Sequence, residues 1–118
     1  EEKIEADSKL TIQEINFDNY RLVEKMSPFG EGNPKPIFLL EDVLISRVSQ
    51  FGKEKNHLNV YIKDENTNKE VQAIAFFKNS NDFQKIPEAG KKINLAAHFE
   101  KSNFRGFPEL RLRIVDLY

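Results

Sequence analysis

The stretch His57–Lys63, HLNVYIK, decides how this chain folds. Leu58, Val60 and Ile62 alternate with His57, Asn59, Tyr61 and Lys63, which is the period of a strand with one face in a core. The polar run DENTNK over residues 64–69 reads as a turn, and EVQAIAFF over residues 70–77 returns as a second strand. Together they predict a hairpin.

Working outward, residues 37–49 form a β-branched and aromatic run upstream of the hairpin. Downstream, Asn, Ser and Pro break the pattern over residues 78–90, so this segment is expected to connect, to hold a short helix, and to plug the core with Phe83 and Ile86. Two further strands follow: residues 92–100 bury Ile93, Leu95, Ala97 and Phe99, and residues 109–116 bury Leu110, Leu112 and Ile114. Three strands, an interruption and a closing hairpin give the order of a five-stranded OB-type Greek-key barrel, a mainly β fold. Its ligand surface is the face of the second and third strands, bordered by the loop joining strands one and two and the loop joining strands four and five.

Ahead of the barrel, Asp18 or Asn19 is expected to cap a short helix that turns Tyr20, Val23 and Leu22 inward and ends before Pro28. Residues 1–15 are acidic with Ile4, Leu10 and Ile12 as the main apolar anchors, so they read as a partly ordered linker from an upstream domain, and residues 16–118 as helix plus barrel. With 118 residues one core is the natural count, and with Met26 the sole methionine we expect a piece of a longer protein.

The absence of cysteine excludes disulfides, thiolate zinc sites and cysteine nucleophiles, and suits a cytoplasmic protein. No apolar run approaches the roughly 20 residues that cross a bilayer, so no membrane partner is expected. The net charge of -1 divides unevenly. Residues 1–42 hold five basic and ten acidic side chains, whereas residues 43–118 hold thirteen and nine. A locally basic barrel is compatible with nucleic acid, because phosphate neutralisation dominates such binding.

Two loops pair rings with cations. QFGKEKN over residues 50–56 presents Phe51, Lys53 and Lys55, and KSNFRGFP over residues 101–108 presents Lys101, Phe104 and Arg105, with Asn103 for base or sugar edges. Stacking rings beside phosphate-binding cations are what a single strand requires. The alternative is structural: Phe51 caps the barrel, and Phe104 and Phe107 fold inward as a lid. On the strands, Tyr61 with Lys63, and Arg111 with Arg113, lie two residues apart and share a face, which makes a tract for bases or a cross-strand packing unit. His57 and His98 lack metal-ligand spacing, and GEGNP over residues 30–34 lacks the Lys-Ser/Thr ending of a phosphate loop. No catalytic constellation and no cofactor site is expected in this chain.

Pro28, Phe29, Gly30, Gly32, Asn33, Pro34, Pro36 and Phe38 form a PFGxGNPxPxF pattern that resembles the entry to the OB domain of the RecJ family of single-stranded-DNA exonucleases. Gly52, Lys53, Asn56, His57 and Leu58 are similar to that family's GK…HL stretch, residues 73–76 to its AIAF strand, and residues 105–116 to its closing RG…LRLRIVD strand. The resemblance implies a 5′-to-3′ exonuclease whose divalent metals, Mn or Mg, are held by aspartates and histidines of a catalytic core outside this chain. It implies single-stranded DNA as partner, together with the rest of the polypeptide. The rival expectation is an architectural barrel that packs on the nuclease core or recruits a partner such as single-stranded-DNA-binding protein. By its own chemistry the PFGEGNP run is an elbow, with prolines that fix φ and glycines that permit positive φ.

Overall fold

The computed structural model describes residues 7–104 and 106–118, without the Phe104 side chain. Its elements are β1 (Ser8–Lys9), α1 (Phe17–Glu24), β2 (Phe38–Phe51), β3 (His57–Lys63), β4 (Glu70–Ala75), β5 (Lys92–Phe104) and β6 (Phe107–Leu117). The sheet runs β1-β2-β3-β4-β6-β5, and a further β2–β5 pairing closes β2 to β6 into a five-stranded barrel. All neighbours in the ring are antiparallel except β4 and β6, which pair in parallel through Ala73↔Leu112 and Ile74↔Arg113. This is the expected OB-type Greek-key ring.

Closure depends on the long β2, which pairs with β5 through Phe38 to Leu44 and with β3 through Leu44 to Phe51. The strand bends where its register slips between Leu40 and Val43. There Asp42 adopts φ 53°, and its backbone N–H donates to Asn94 Oδ1 at 2.8 Å instead of to a strand carbonyl. Such a bulge bends a strand and raises its twist, so one strand can serve two sides of the ring. Inside, Leu40, Leu58, Val60, Ile62, Leu95, Leu112 and Leu117 are fully enclosed, with Ala73, Ala75 and Ala97 filling the narrow places.

The stretch read as a partly ordered linker is, from Asp7 on, part of the packed structure. Ser8 and Lys9 pair in parallel with Phe38 and Leu39, and Ile12 and Ile15 enter the barrel core. Gln13 donates from its side chain to Asp64 Oδ2 at 2.8 Å and to Thr67 Oγ1, which ties this segment to the β3–β4 turn. The same carboxylate receives the Asn66 N–H at 2.9 Å. Hydrogen bonding, chiefly from Gln13, holds Asp64 below the usual carboxylate range.

The helix is capped by Asn16, which accepts the Asn19 N–H at 2.9 Å, rather than by Asp18 or Asn19. Val23 is buried and Tyr20 meets Phe99 edge-on at 5.4 Å, but Leu22 is 58% exposed and does not face inward. Residues 78–90 hold a single 3-10 turn, Ser80–Asp82; Phe83 packs on the core while Ile86 points to solvent. In the elbow, Gly30 and Asn33 exchange backbone hydrogen bonds, and the Asn33 side chain donates to Met26 O at 2.6 Å and Pro28 O at 3.0 Å. Neither Gly30 nor Gly32 has positive φ, so Asn33 and the prolines shape the elbow, not glycine freedom.

Candidate nucleic-acid interface

Alternation along β4 sends Val71, Ala73 and Ala75 inward and Gln72 and Ile74 outward, with Phe76 continuing the outer row. Those outer side chains meet Asn59 of β3 and, from the ends of other strands, Phe51, Ser102, Glu109 and Arg111, around a groove of about 330 Å³. Ile74 is only 4% exposed although it lies on the outside of the barrel, so it forms the floor. The amides above it are joined by Gln72 Nε2 donating to Asn59 Oδ1 at 2.8 Å. Phe51 and Phe76 stand at one end, with ring centroids 6.4 Å apart in a T-shaped contact. A cleft with an apolar floor, two rings and amide edges can hold a planar base by stacking and by polar contacts at its edge.

His57 organises the ring end. It lies 5.2 Å from Phe51, 5.3 Å from Phe76 and 4.8 Å from Phe77 between centroids. Its Nδ1 accepts the Phe77 backbone N–H at 3.0 Å, which places the neutral ring's proton on Nε2. Close packing here requires Gly52, which has φ 95° and where a Cβ would sit 2.7 Å from His57 Cδ2.

The arginine edge is less positive than two guanidinium groups suggest. Glu100 Oε1 accepts from Arg111 Nε at 2.7 Å and lies 3.1 Å from Arg113 Nη2. Register explains it: Arg111 faces Glu100 directly across β5 and β6, and Arg113 is one step along the same face. Arg113 also lies over the Phe76 ring at 4.6 Å and Arg111 at 5.7 Å, so the cations border the aromatic end.

Of the residues singled out in the sequence, Phe51 and Arg111 line the groove and Arg113 borders it. Lys53 and Lys55 are exposed on the β2–β3 loop, with Lys55 at φ 54°. Tyr61 lies on the outer face, but one side of its ring is covered by the Arg47 guanidinium at 3.8 Å. Arg47 in turn pairs with Glu70, whose carboxyl is held below the usual range first by the Ser46 hydroxyl and then by Arg47. Lys63 lies away from the groove, beside Glu41, Asp42, Asp64 and Glu65 around a different depression. Lys101 turns toward α1, its ammonium 5.7 Å from the Tyr20 ring. Arg105 and the Phe104 side chain lie outside the described residues. Phe107 is 71% exposed, so it is not an inward lid. Asn59, Gln72, Phe76 and Glu100 were not singled out. Asn59, Gln72 and Phe76 carried a signal, since each lies on or continues the outer face of an alternating strand.

A family model described as the RecJ OB domain matches residues 6–116. The chain belongs to that family. The single-stranded-DNA-specific exonuclease RecJ of Bacillus subtilis is 24% identical over 112 residues, covering 95% of this chain and 14% of the relative. That of Haemophilus influenzae is 28% identical over 109 residues, covering 92% and 18%. The chain thus spans less than a fifth of the length of these relatives. Among solved structures, RecJ from Thermus thermophilus in complex with Mn2+ matches with a TM-score of 0.61 at 24% identity, over 84% of this chain and 13% of that one. The Mg2+ complex gives 0.59 at 23% identity, over 83% and 14%. These likenesses establish the fold. Among the described residues no three His, Asp or Glu side chains gather where they could hold a metal ion. No described helix is long and apolar enough to cross a membrane.

Proposed function

We propose that this chain is the single-stranded-DNA-binding module of a RecJ-type 5′-to-3′ exonuclease, guiding the strand to a catalytic core elsewhere in a longer protein. The observation that carries the reading is the placement of the groove. It lies on the β3–β4 face between the β2–β3 loop and the β5–β6 hairpin, where an OB barrel takes oligonucleotides. Its composition suits a strand read without strong sequence preference, since rings and amides accept any base while Lys53, Lys55, Arg111 and Arg113 lie within the same region for phosphate. Catalysis, and the divalent metal it uses, belong to the core rather than to any residue here.

The test is fluorescence anisotropy of the chain with labelled oligo-dT at low salt. Saturable binding that weakens with salt is expected; no binding at high protein concentration would refute autonomous DNA binding. A docking role is favoured by a separate observation, the exposure of Leu22 on α1 and of Met26 just after it, neither of which lines the groove. Charge reversal at Lys53, Lys55 and Arg105 in the full-length protein separates the two. Lost DNA affinity supports the groove, and intact affinity with lost partner recruitment, for example of single-stranded-DNA-binding protein, supports docking.

A further inference from the structure

Phe77 combines two features that folding alone does not favour. Its ring is 75% exposed, and its backbone sits at φ 57°, a left-handed conformation that a bulky side chain rarely adopts. A glycine there would relieve the backbone, and a polar residue would suit the exposure. The surroundings nevertheless hold this conformation in place. His57 Nδ1 accepts the Phe77 N–H at 3.0 Å, and the His57 ring meets the Phe77 ring edge-on at 4.8 Å with an 80° interplanar angle. His57 is itself wedged between Phe51 and Phe76, the two rings at the end of the groove. Sparsely populated backbone conformations persist where the structure over-determines them, and such places concentrate at ligand contacts.

The charge next to Phe77 is built in as well. Gln50 Nε2 donates to Lys55 O at 3.1 Å and to Asn79 Oδ1 at 2.9 Å, which fastens the loop carrying Lys53 and Lys55 to the segment carrying Lys78. Lys53, Lys55 and Lys78 are all exposed. The acidic neighbours are Glu54, on the same loop, and Asp82, whose Oδ2 is occupied by the Asn79 N–H at 2.7 Å. An exposed ring with Lys78 next in the chain, on a segment fastened to the loop of Lys53 and Lys55, is the pairing of stacking face and phosphate contact that single strands use.

We propose that Phe77 is a base-stacking platform that extends the DNA path beyond the groove, with Lys78 as its phosphate contact and His57 as its positioning residue. The inference rests on the DNA-binding reading above and assigns residues outside the groove lining. The experiment is anisotropy with oligo-dT of about 16 nucleotides, the upper end of the site size of one OB fold. Phe77→Gly and Phe77→Leu should each bind about 5- to 100-fold more weakly with an unchanged salt slope. Phe77→Gly should melt no lower than the parent, because it releases the left-handed backbone. Lys78→Ala should lower the slope of log K against log salt by about 0.7. His57→Leu, which loses the acceptor for the Phe77 N–H, should weaken binding, and His57→Asn, whose amide oxygen can replace Nδ1, should recover it. Parental affinity in Phe77→Gly, with the parent binding normally, would overturn this inference alone. Failure of the parent to bind would overturn the DNA-binding reading and this inference with it.

Discussion

Glu100 offers the sharpest test of the groove, because replacing it should move stability and affinity in opposite directions. One carboxylate oxygen serves two guanidinium groups, at 2.7 Å from Arg111 and 3.1 Å from Arg113, so the three side chains together present a single positive charge. Glu100→Gln keeps a carbonyl oxygen as acceptor but raises that charge to two. In the free chain the arginines lose their counter-ion. Glu100 and Arg111 are each 20% exposed, a partly buried setting in which a hydrogen bond to a charged group contributes about 1.5–3 kcal/mol, so the melting temperature should fall by several degrees. On DNA, by the proposed reading, a phosphate should replace the carboxylate. One additional neutralised phosphate steepens the slope of log K against log salt by about 0.7, which amounts to roughly a fivefold gain in affinity at 0.1 M salt relative to 1 M. Titration of labelled oligo-dT across salt, beside thermal melts of the same preparations, measures both effects. Partial unfolding cannot imitate the result, since it lowers affinity along with stability. A folded Glu100→Gln protein with parental slope and affinity would show that Arg111 and Arg113 do not face the phosphates.

Lys53→Ala and Lys55→Ala should each lower the salt slope by about 0.7 and leave the melting temperature unchanged, as their exposure implies; a parental slope in both would remove the β2–β3 loop from the interface. Ile15→Ala should cost about 2–4 kcal/mol in urea unfolding because Ile15 is buried in the barrel core, and a loss under about 0.5 kcal/mol would show that residues 7–15 are peripheral. Glu70 is held below its ordinary value of about 4.3, so its stabilising contribution is present above that pH and is lost as pH falls through the lower folded value. Ser46→Ala removes the largest cause and should flatten the decline in melting temperature as pH falls below about 4.3; identical acid limbs would refute the assignment.

The ring of strands was legible because each core strand alternates cleanly where it is half-buried. Leu58, Val60 and Ile62 point inward on β3 as their spacing predicts, and so do Ile93, Leu95 and Phe99 on β5. Legibility ends where the physics changes. The outer ends of β5 and β6, Lys101 to Asn103 and Phe107 to Pro108, pair beyond the core with largely exposed side chains, so no apolar alternation marks them. The burial of Ile12 and Ile15 escaped for another reason. Their segment is anchored by pairing with Phe38 and Leu39, about 30 residues away, and by Gln13 reaching the β3–β4 turn, neither of which leaves a local pattern.

For the groove, the same limit separates what a face predicts from what a register adds. Spacing by two correctly puts Arg111 and Arg113 on one face and Asn59 beside Tyr61, because that follows from the pleat alone. Whether a side chain on that face is open to a ligand depends on what stands opposite it. Tyr61 pairs across β2 with Arg47, whose guanidinium covers one side of the ring, so at most the other side is left for a base. Arg111 stands opposite Glu100, so the most basic-looking stretch of the chain is half neutralised by a carboxylate eleven residues earlier. Phe76 shares this constraint, since Arg113 lies over its ring at 4.6 Å, whereas Phe51 has no guanidinium over it among the described contacts. His57, wedged between them and tolerated only because position 52 is glycine, spaces the two rings at the groove's end. A count of rings and cations therefore overstates the arginine edge, and the stronger contribution to binding should come from stacking at Phe51 rather than from the arginines.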